Sequence, residues 1–435
     1  MTNGVFKPSK PGTVFKEETG KLYVFTSGSI TVLKGWPPEA WKKTRSNPNW
    51  VRFRPEIAVP CRDIDARIRQ FEHPEEEGGQ LLLPLDALLR PRELAWLKWY
   101  ATIPQEAREL ARRLPTRQWH LLSFLARCGK AAFDLSASNP ALAYALASNW
   151  VFHRPAVQRP LRSVRALLGP GKRQREACAW LGFPETEASR KTLNKVVHKA
   201  INVSGLLYLR QSMADADAQK ALSHLQRLNA GAIRIITDPG LFPLATPRLL
   251  QEVAHCREED SRPKAAYLLR DSAAMQRLLF GGSLNFAPVG HINELAATHD
   301  SLIEDLNRAE CLDRDIAFPS PPVKGSEFIV PVTSARELVK EGREQHNCVA
   351  SYMKRVALQQ RVFIYRVLWP ERCTLSVSRH GDRWVLSELM RACNEQPSPK
   401  TREVVAEWFR QETGLTDEKP DSAEPWDAEV DDLPF

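Results

Sequence analysis

The stretch EGREQHNCVASY, residues 341–352, holds the densest set of reactive side chains in the sequence. His346 and Cys348 lie two apart, so they share a face on an extended backbone and diverge on a helix. An imidazole beside the thiol can lower its pKa and make Cys348 a nucleophile. A catalytic triad then needs a third group, which Asn394 or Glu388 can supply from the strand region that follows. The same His346 and Cys348, with Cys373 and Cys393, make an alternative zinc set. The C-x2-C or H-x3-H spacing usual for zinc is absent, so no metal is assigned. A third reading leaves the segment to packing and hydrogen bonding.

A second constellation is KRQREACAWLGFPETEASRKTLNKV, residues 172–196. A basic amphipathic segment reaches Leu181-Gly182, turns at Phe183-Pro184 and re-enters a helix through Thr186-Glu187. This is the pattern of a helix-turn-helix, with Lys172, Arg173, Arg175, Arg190, Lys191, Asn194 and Lys195 available to a nucleic acid. Trp36, Trp41 and Trp50 beside Lys42, Lys43 and Arg45 form a possible base-stacking surface, or cap a small core. His120, His198, His224 and His255 sit in helical contexts without a ligand partner at i+3 or i+4. No phosphate-binding, dinucleotide, zincin or nucleophile-elbow motif is present, and no cofactor is expected.

These residues need elements to carry them. The 435 residues suffice for one large core or two to three ordinary ones, at 43% hydrophobic and 26% charged. KLYVFTSGSITVLKG reads as a hairpin. From about Leu81 to Asp315 the pattern is helical. Trp96, Trp99, Tyr100 and Ile103 fall on one face, at a spacing that belongs to a core. AFPSPPVKGSEFIVP marks a linker. Beyond it, Ser334 and Glu337 give a capping box, RVFIYRVLW, RCTLSVSR and DRWVLSEL read as strands, and SPKTREVVAEWFRQ as a closing helix. The expected fold is α+β and mostly α. Residues 1–60 are a β-rich region, 61–318 a helical domain, 319–412 a compact α+β domain and 413–435 a disordered acidic tail.

Charge is unevenly placed. Residues 411–435 carry nine acids against one base, Lys419, a net −8. With the whole chain at +9, residues 1–410 carry +17, enough to attract polyanions. Eight cysteines without paired spacing, and no signal peptide or membrane-length apolar run, lead us to expect a reduced, cytoplasmic protein with no membrane partner.

ELVKEGREQHNCVASY resembles the EG…H-x-CV-x-x-Y core of the PcfJ-like family, proteins of conjugative plasmids, phages and related mobile elements. The resemblance places His346, Cys348, Val349 and Tyr352 on that core. CTLSV and RWVLSELMRACN are similar to the family's strand pair, placing Thr374, Leu375 and Asn394. The similarity extends over roughly 120–410 and is most specific in 337–394. Glu388, Arg391 and Ala350 depart from the usual Gln, Gly and Gly. What the family implies is a genetic context and not a reaction. The final DDLPF resembles the acidic tip of bacterial single-stranded DNA-binding protein. That likeness implies that Asp431, Asp432, Leu433, Pro434 and Phe435 engage host proteins that read such a tip. Phe435 would fill an apolar pocket, and its carboxylate would meet a basic side chain. The leading expectation is a DNA-associated accessory protein of a mobile element, with single-stranded DNA as partner. The alternatives are a hydrolase or nucleic-acid-processing enzyme centred on His346 and Cys348, and a module that binds or inhibits a host protein.

Overall fold

The computed structural model describes residues 11–57, 91–148, 161–169, 173–256, 264–280, 287–308, 316–380 and 383–413. Lys172 and the tail residues Asp431, Asp432, Leu433, Pro434 and Phe435 lie outside them. The chain forms two compact units, Met1–Asp238 with Ala254–Arg262, and Pro239–Val253 with Pro263–Phe435. It is mostly helical with two small antiparallel sheets, as the sequence pattern predicts. Among the described residues, no helix is long and apolar enough to cross a membrane.

In the first unit, β1 (Gly12–Lys16), β2 (Lys21–Phe25), β3 (Ser29–Lys34), β4 (Glu39–Thr44) and β5 (Val51–Arg52) form a meander in chain order. The expected hairpin is β2–β3, closed by Thr26 N–H donating to Ser29 O at 2.9 Å. Alternation sends Leu22, Leu33 and Ala40 to one buried face. The Pro91–Ala101 helix packs there, and its buried Trp99 donates Nε1–H to Leu33 O at 3.1 Å. The aromatic stripe is core, as its spacing suggests. Trp99 stacks on Trp119 and meets Trp96 edge-on at 5.5 Å. Short helices continue to Ala230–Thr237, and several are capped by an Asn, Asp or Thr that accepts from the first turn.

In the second unit, β6 (Ile329–Pro331), β7 (Val362–Val367), β8 (Cys373–His380) and β9 (Arg383–Met390) pair in sequence order. Strand β7 is apolar on both faces because both are covered. Phe363, Tyr365 and Val367 join Leu375, Leu386, Val405 and Trp408 on one side. Val362 and Ile364 join Leu338, Val349 and Val356 on the other. The Ala335–Gln345 helix therefore lies on one face and the Pro399–Thr413 helix on the opposite one. The capping box forms with a shift. Ser334 Oγ accepts from Glu337 N–H at 3.2 Å, but the Glu337 carboxylate reaches back to Thr333 N–H at 2.7 Å, one residue earlier than the motif predicts.

The Pro399–Thr413 helix is tied down by Glu371. Its carboxylate accepts from Ser398 N–H at 2.8 Å and from the Thr401 hydroxyl. Hydrogen bonds from Ser398, then Thr401, pull its pKa down to about 2. A carboxylate whose pKa is depressed on folding stabilises the fold above its unfolded value, about 4.3, and loses that contribution as pH falls through the folded value. Urea midpoints of the wild type are therefore expected to drop between about pH 5 and about pH 2, and Glu371→Gln to flatten that drop. Parallel curves for the two proteins would show that this carboxylate is not responsible.

Candidate functional site

The Ala335–Gln345 helix ends at His346, whose left-handed backbone (φ 48°, ψ 50°) turns the chain while its N–H bonds to Gly342 O. Asn347 fixes the turn that follows. Its Oδ1 accepts from Val349 N–H at 3.1 Å, and its Nδ2 donates to Thr374 Oγ1 at 3.1 Å. Thr374 in turn donates to Glu341 Oε1 at 2.6 Å. Glu341 has no exposed side-chain surface and is held by both terminal nitrogens of Arg372, which also reaches Glu344 at 3.3 Å. Glu341, Asn347 and Thr374 thus form the buried support beneath Cys348.

Cys348 opens a short 3-10 turn, Val349–Tyr352, so Cys348 and Tyr352 lie close to one helical turn apart. The thiol donates to Asp271 Oδ2 at 3.7 Å. Asp271 comes from the Lys264–Leu279 helix, and His299 from the Ile292–Arg308 helix completes a group whose donor atoms all lie within 4.8 Å of one another. Tyr352 donates its hydroxyl to Glu388 Oε2 at 3.1 Å and carries the Arg355 guanidinium 5.3 Å from its ring centroid.

Glu388 reaches this face because of a β-bulge. Trp384 and Leu386 face the apolar core, so an unbroken period of two would drive residue 388 into it. The register shifts between Ser376 and Val377, leaving Ser387 without a partner across the ladder. Leu389 then takes the core position, and Glu388 stands opposite Ser376 on the other face.

The crowding of acids sets the local electrostatics. Burial, then the charge of Glu388, pushes the Asp271 carboxyl up to about 7, with Arg355 opposing. Burial, then Asp271 and Glu388, holds the Cys348 thiol well above its ordinary value. The Glu388 charge, then burial, does the same to the Tyr352 phenol. A thiol held protonated is a poor nucleophile, so this arrangement does not favour a His346-activated thiolate.

The family model for PcfJ-like protein matches residues 268–403. Residues 268–403 are thus the part of the chain that is similar to this family, its PcfJ-like region. No curated protein and no solved structure matches the chain. The PcfJ-like region begins in the helix that carries Asp271 and contains His299, Cys348, Tyr352, Arg355 and Glu388. Of the residues expected for catalysis, the fold brings Cys348 and Glu388 to one site. It leaves His346 exposed at the helix end and Asn394 exposed in the Ala392–Asn394 turn. The alternative zinc set is dispersed in environment, since Cys373 is buried in the apolar core and Cys393 is exposed. No local motif in the sequence marks Asp271 or His299 as site residues. A signal existed for the second, because His299 keeps helical register with buried Leu295, Leu302, Ile303 and Leu306.

Outside the PcfJ-like region, the basic hairpin forms as Gln174–Trp180 and Glu187–Asn194. Gly182 turns the chain at φ 85°, and Thr186 caps the second helix by accepting from Ser189 N–H at 3.1 Å. Arg173, Lys191 and Asn194 are exposed and Arg175 is half-buried. Two of the expected contacts are committed elsewhere. Arg190 pairs with Glu187 at 2.6 Å, and Lys195 Nζ donates to Leu222 O and Ser223 O at 3.0 and 2.9 Å.

The N-terminal sheet offers a second basic surface. On the face away from Leu22 and Leu33, the register lines up Val14, Tyr23, Val32, Trp41 and Arg52 in one row. Lys16, Lys21, Lys34 and Glu39 form the next row, and Phe25, Ile30 and Lys43 lie on the other flank. Lys16 sits over the Tyr23 ring at 5.2 Å and Lys21 over Trp41 at 5.4 Å. Of the tryptophans and bases singled out in the sequence, this face takes Trp41 and Lys43, whereas Lys42 points to the opposite side.

Proposed function

We propose that this chain is a DNA-associated accessory protein of a mobile genetic element that binds single-stranded DNA across the aromatic, basic face of its N-terminal sheet. The observation that carries this reading is the row of Tyr23 and Trp41 flanked by Lys16, Lys21, Lys34 and Lys43, with Arg52 at its end paired to Glu39 at 2.9 Å. Bases stack on such rings regardless of sequence while the flanking cations meet phosphates. The +17 charge of residues 1–410 supplies the long-range attraction, and the PcfJ-like region supports the mobile-element context. In this reading the acids of residues 411–435 compete with DNA for the basic body. Leu433, Pro434 and Phe435 engage host proteins that read the tip of single-stranded DNA-binding protein.

Fluorescence anisotropy of a labelled oligothymidine, titrated over a salt series, tests the proposal. Affinity is expected to fall with a log–log slope of about −0.7 per phosphate contacted. Removing residues 414–435 is expected to tighten binding. Undetectable binding at low salt would rule the reading out.

A second reading, an enzyme, is favoured by the meeting of Asp271, His299, Cys348, Tyr352 and Glu388 from separate elements of the PcfJ-like region. It expects the chemistry to lie there and not at His346.

A further inference from the structure

We propose that Asp271, His299 and Cys348 form a binding site for one divalent transition-metal ion, zinc by the chemistry of its donors. A thiol, an imidazole and a single carboxylate are a mixed soft and borderline set. Magnesium and calcium select all-oxygen shells, whereas sulfur with imidazole selects zinc and its neighbours.

The spacing fits. Zinc binds sulfur at about 2.3 Å and nitrogen or oxygen at about 2.0–2.1 Å, so tetrahedral donors stand about 3.3–3.6 Å apart. Cys348 Sγ and Asp271 Oδ2 are already 3.7 Å apart. With all three donors inside 4.8 Å, a movement of the imidazole by about 1 Å closes the shell. The same 3.7 Å contact taken alone is only a weak thiol hydrogen bond. The third donor, delivered from a different helix, is what makes it a coordination geometry.

The elements that carry the donors are packed together. Met275, Leu302, Ile303, Leu306, Val339 and Ala350 form one apolar cluster, and Cys348 lies against it. His299 is itself buried, with Asp300 Oδ1 at 3.6 Å from Nδ1. A carboxylate on that side of the ring suits ligation through Nε2. Three protein ligands leave one tetrahedral position, the pattern of zinc sites that keep a water or admit a substrate atom. Glu388, which accepts from Tyr352 at 3.1 Å at the far end of the turn opened by Cys348, is a further carboxylate on this face. The donors are spread over residues 271, 299 and 348 and so carry no local zinc motif, which is why cysteine and histidine spacing assigns no metal here.

The test uses the whole chain, stripped with a chelator and titrated with Zn²⁺ and with Co²⁺. The expected result is one ion per chain, a higher Tm with Zn²⁺, and a cobalt spectrum with a thiolate charge-transfer band and tetrahedral d–d bands. Cys348→Ser is expected to abolish the charge-transfer band. His299→Ala is expected to weaken binding at least about 100-fold, and Asp271→Asn serves if that variant does not fold. Cys393→Ser and Cys256→Ser, at exposed thiols, leave the band in place. Wild-type protein that takes up no ion, or that binds cobalt without a thiolate band, would overturn the proposal, as would Cys348→Ser binding like wild type.

Discussion

Replacing Glu341 by alanine is expected to destabilise the second unit by about 3 kcal/mol, the low end of what breaking a buried ion pair costs. The low end applies because Arg372 keeps partial exposure and its second partner, Glu344. Most of the loss comes from what Glu341 leaves behind. The Thr374 hydroxyl loses its acceptor, and Arg372 loses the carboxylate that met both terminal nitrogens. Glu341→Gln keeps an acceptor for Thr374 and is expected to cost less. Glu344→Ala, at an exposed partner, is expected to stay within about 0.5 kcal/mol of wild type. Urea or guanidinium denaturation of the three variants provides the comparison. Equal losses for Glu341→Ala and Glu344→Ala would mean that the buried network does not hold the turn. Because Asn347 shares Thr374 with Glu341, the loss is also expected to loosen the turn that carries Cys348.

The second large effect concerns DNA. Trp41→Ala is expected to weaken single-stranded DNA binding about 5- to 150-fold, the range that one lost stacking platform gives. Trp41 is half-buried on the face away from Leu22, Leu33 and Ala40, beside buried Val32, so circular dichroism of the variant must match wild type for the loss to count as lost stacking. Lys34→Ala acts differently, lowering the magnitude of the salt slope by about 0.7 with a smaller change in affinity at low salt. Loss of binding in Arg173→Ala and Lys191→Ala, with Trp41→Ala unaffected, would move the interface to the helical hairpin and overturn the sheet assignment.

Much of this architecture is legible in the residue order because its causes are local. Strict alternation in CTLSVS puts Cys373, Leu375 and Val377 in the apolar core and the buried hydroxyls of Thr374, Ser376 and Ser378 on the opposite face. The β2–β3 hairpin, the aromatic stripe over residues 96–103 and the cap at Ser334 follow from periodicity and turn chemistry in the same way. The capping box slipped by one residue because Thr333 offers both N–H and hydroxyl to Glu337. That choice between neighbouring donors is made by geometry and not by residue type.

The candidate site was half legible. The density of reactive groups around Cys348 is a property of the sequence, and so is the basic excess of residues 1–410. Which groups meet the thiol is not. His346 is two residues away and is carried off by a left-handed turn, whereas Asp271 is 77 residues away and reaches the sulfur. Glu388 faces the site only because one unpaired residue in β9 inverts the alternation after Leu386. The sequence by itself determined the elements, their buried faces and the charge of the body. Tertiary structure alone decided the company of Cys348, because contacts between distant helices and the phase of a bulged strand depend on how whole elements pack and not on the pattern within any one of them.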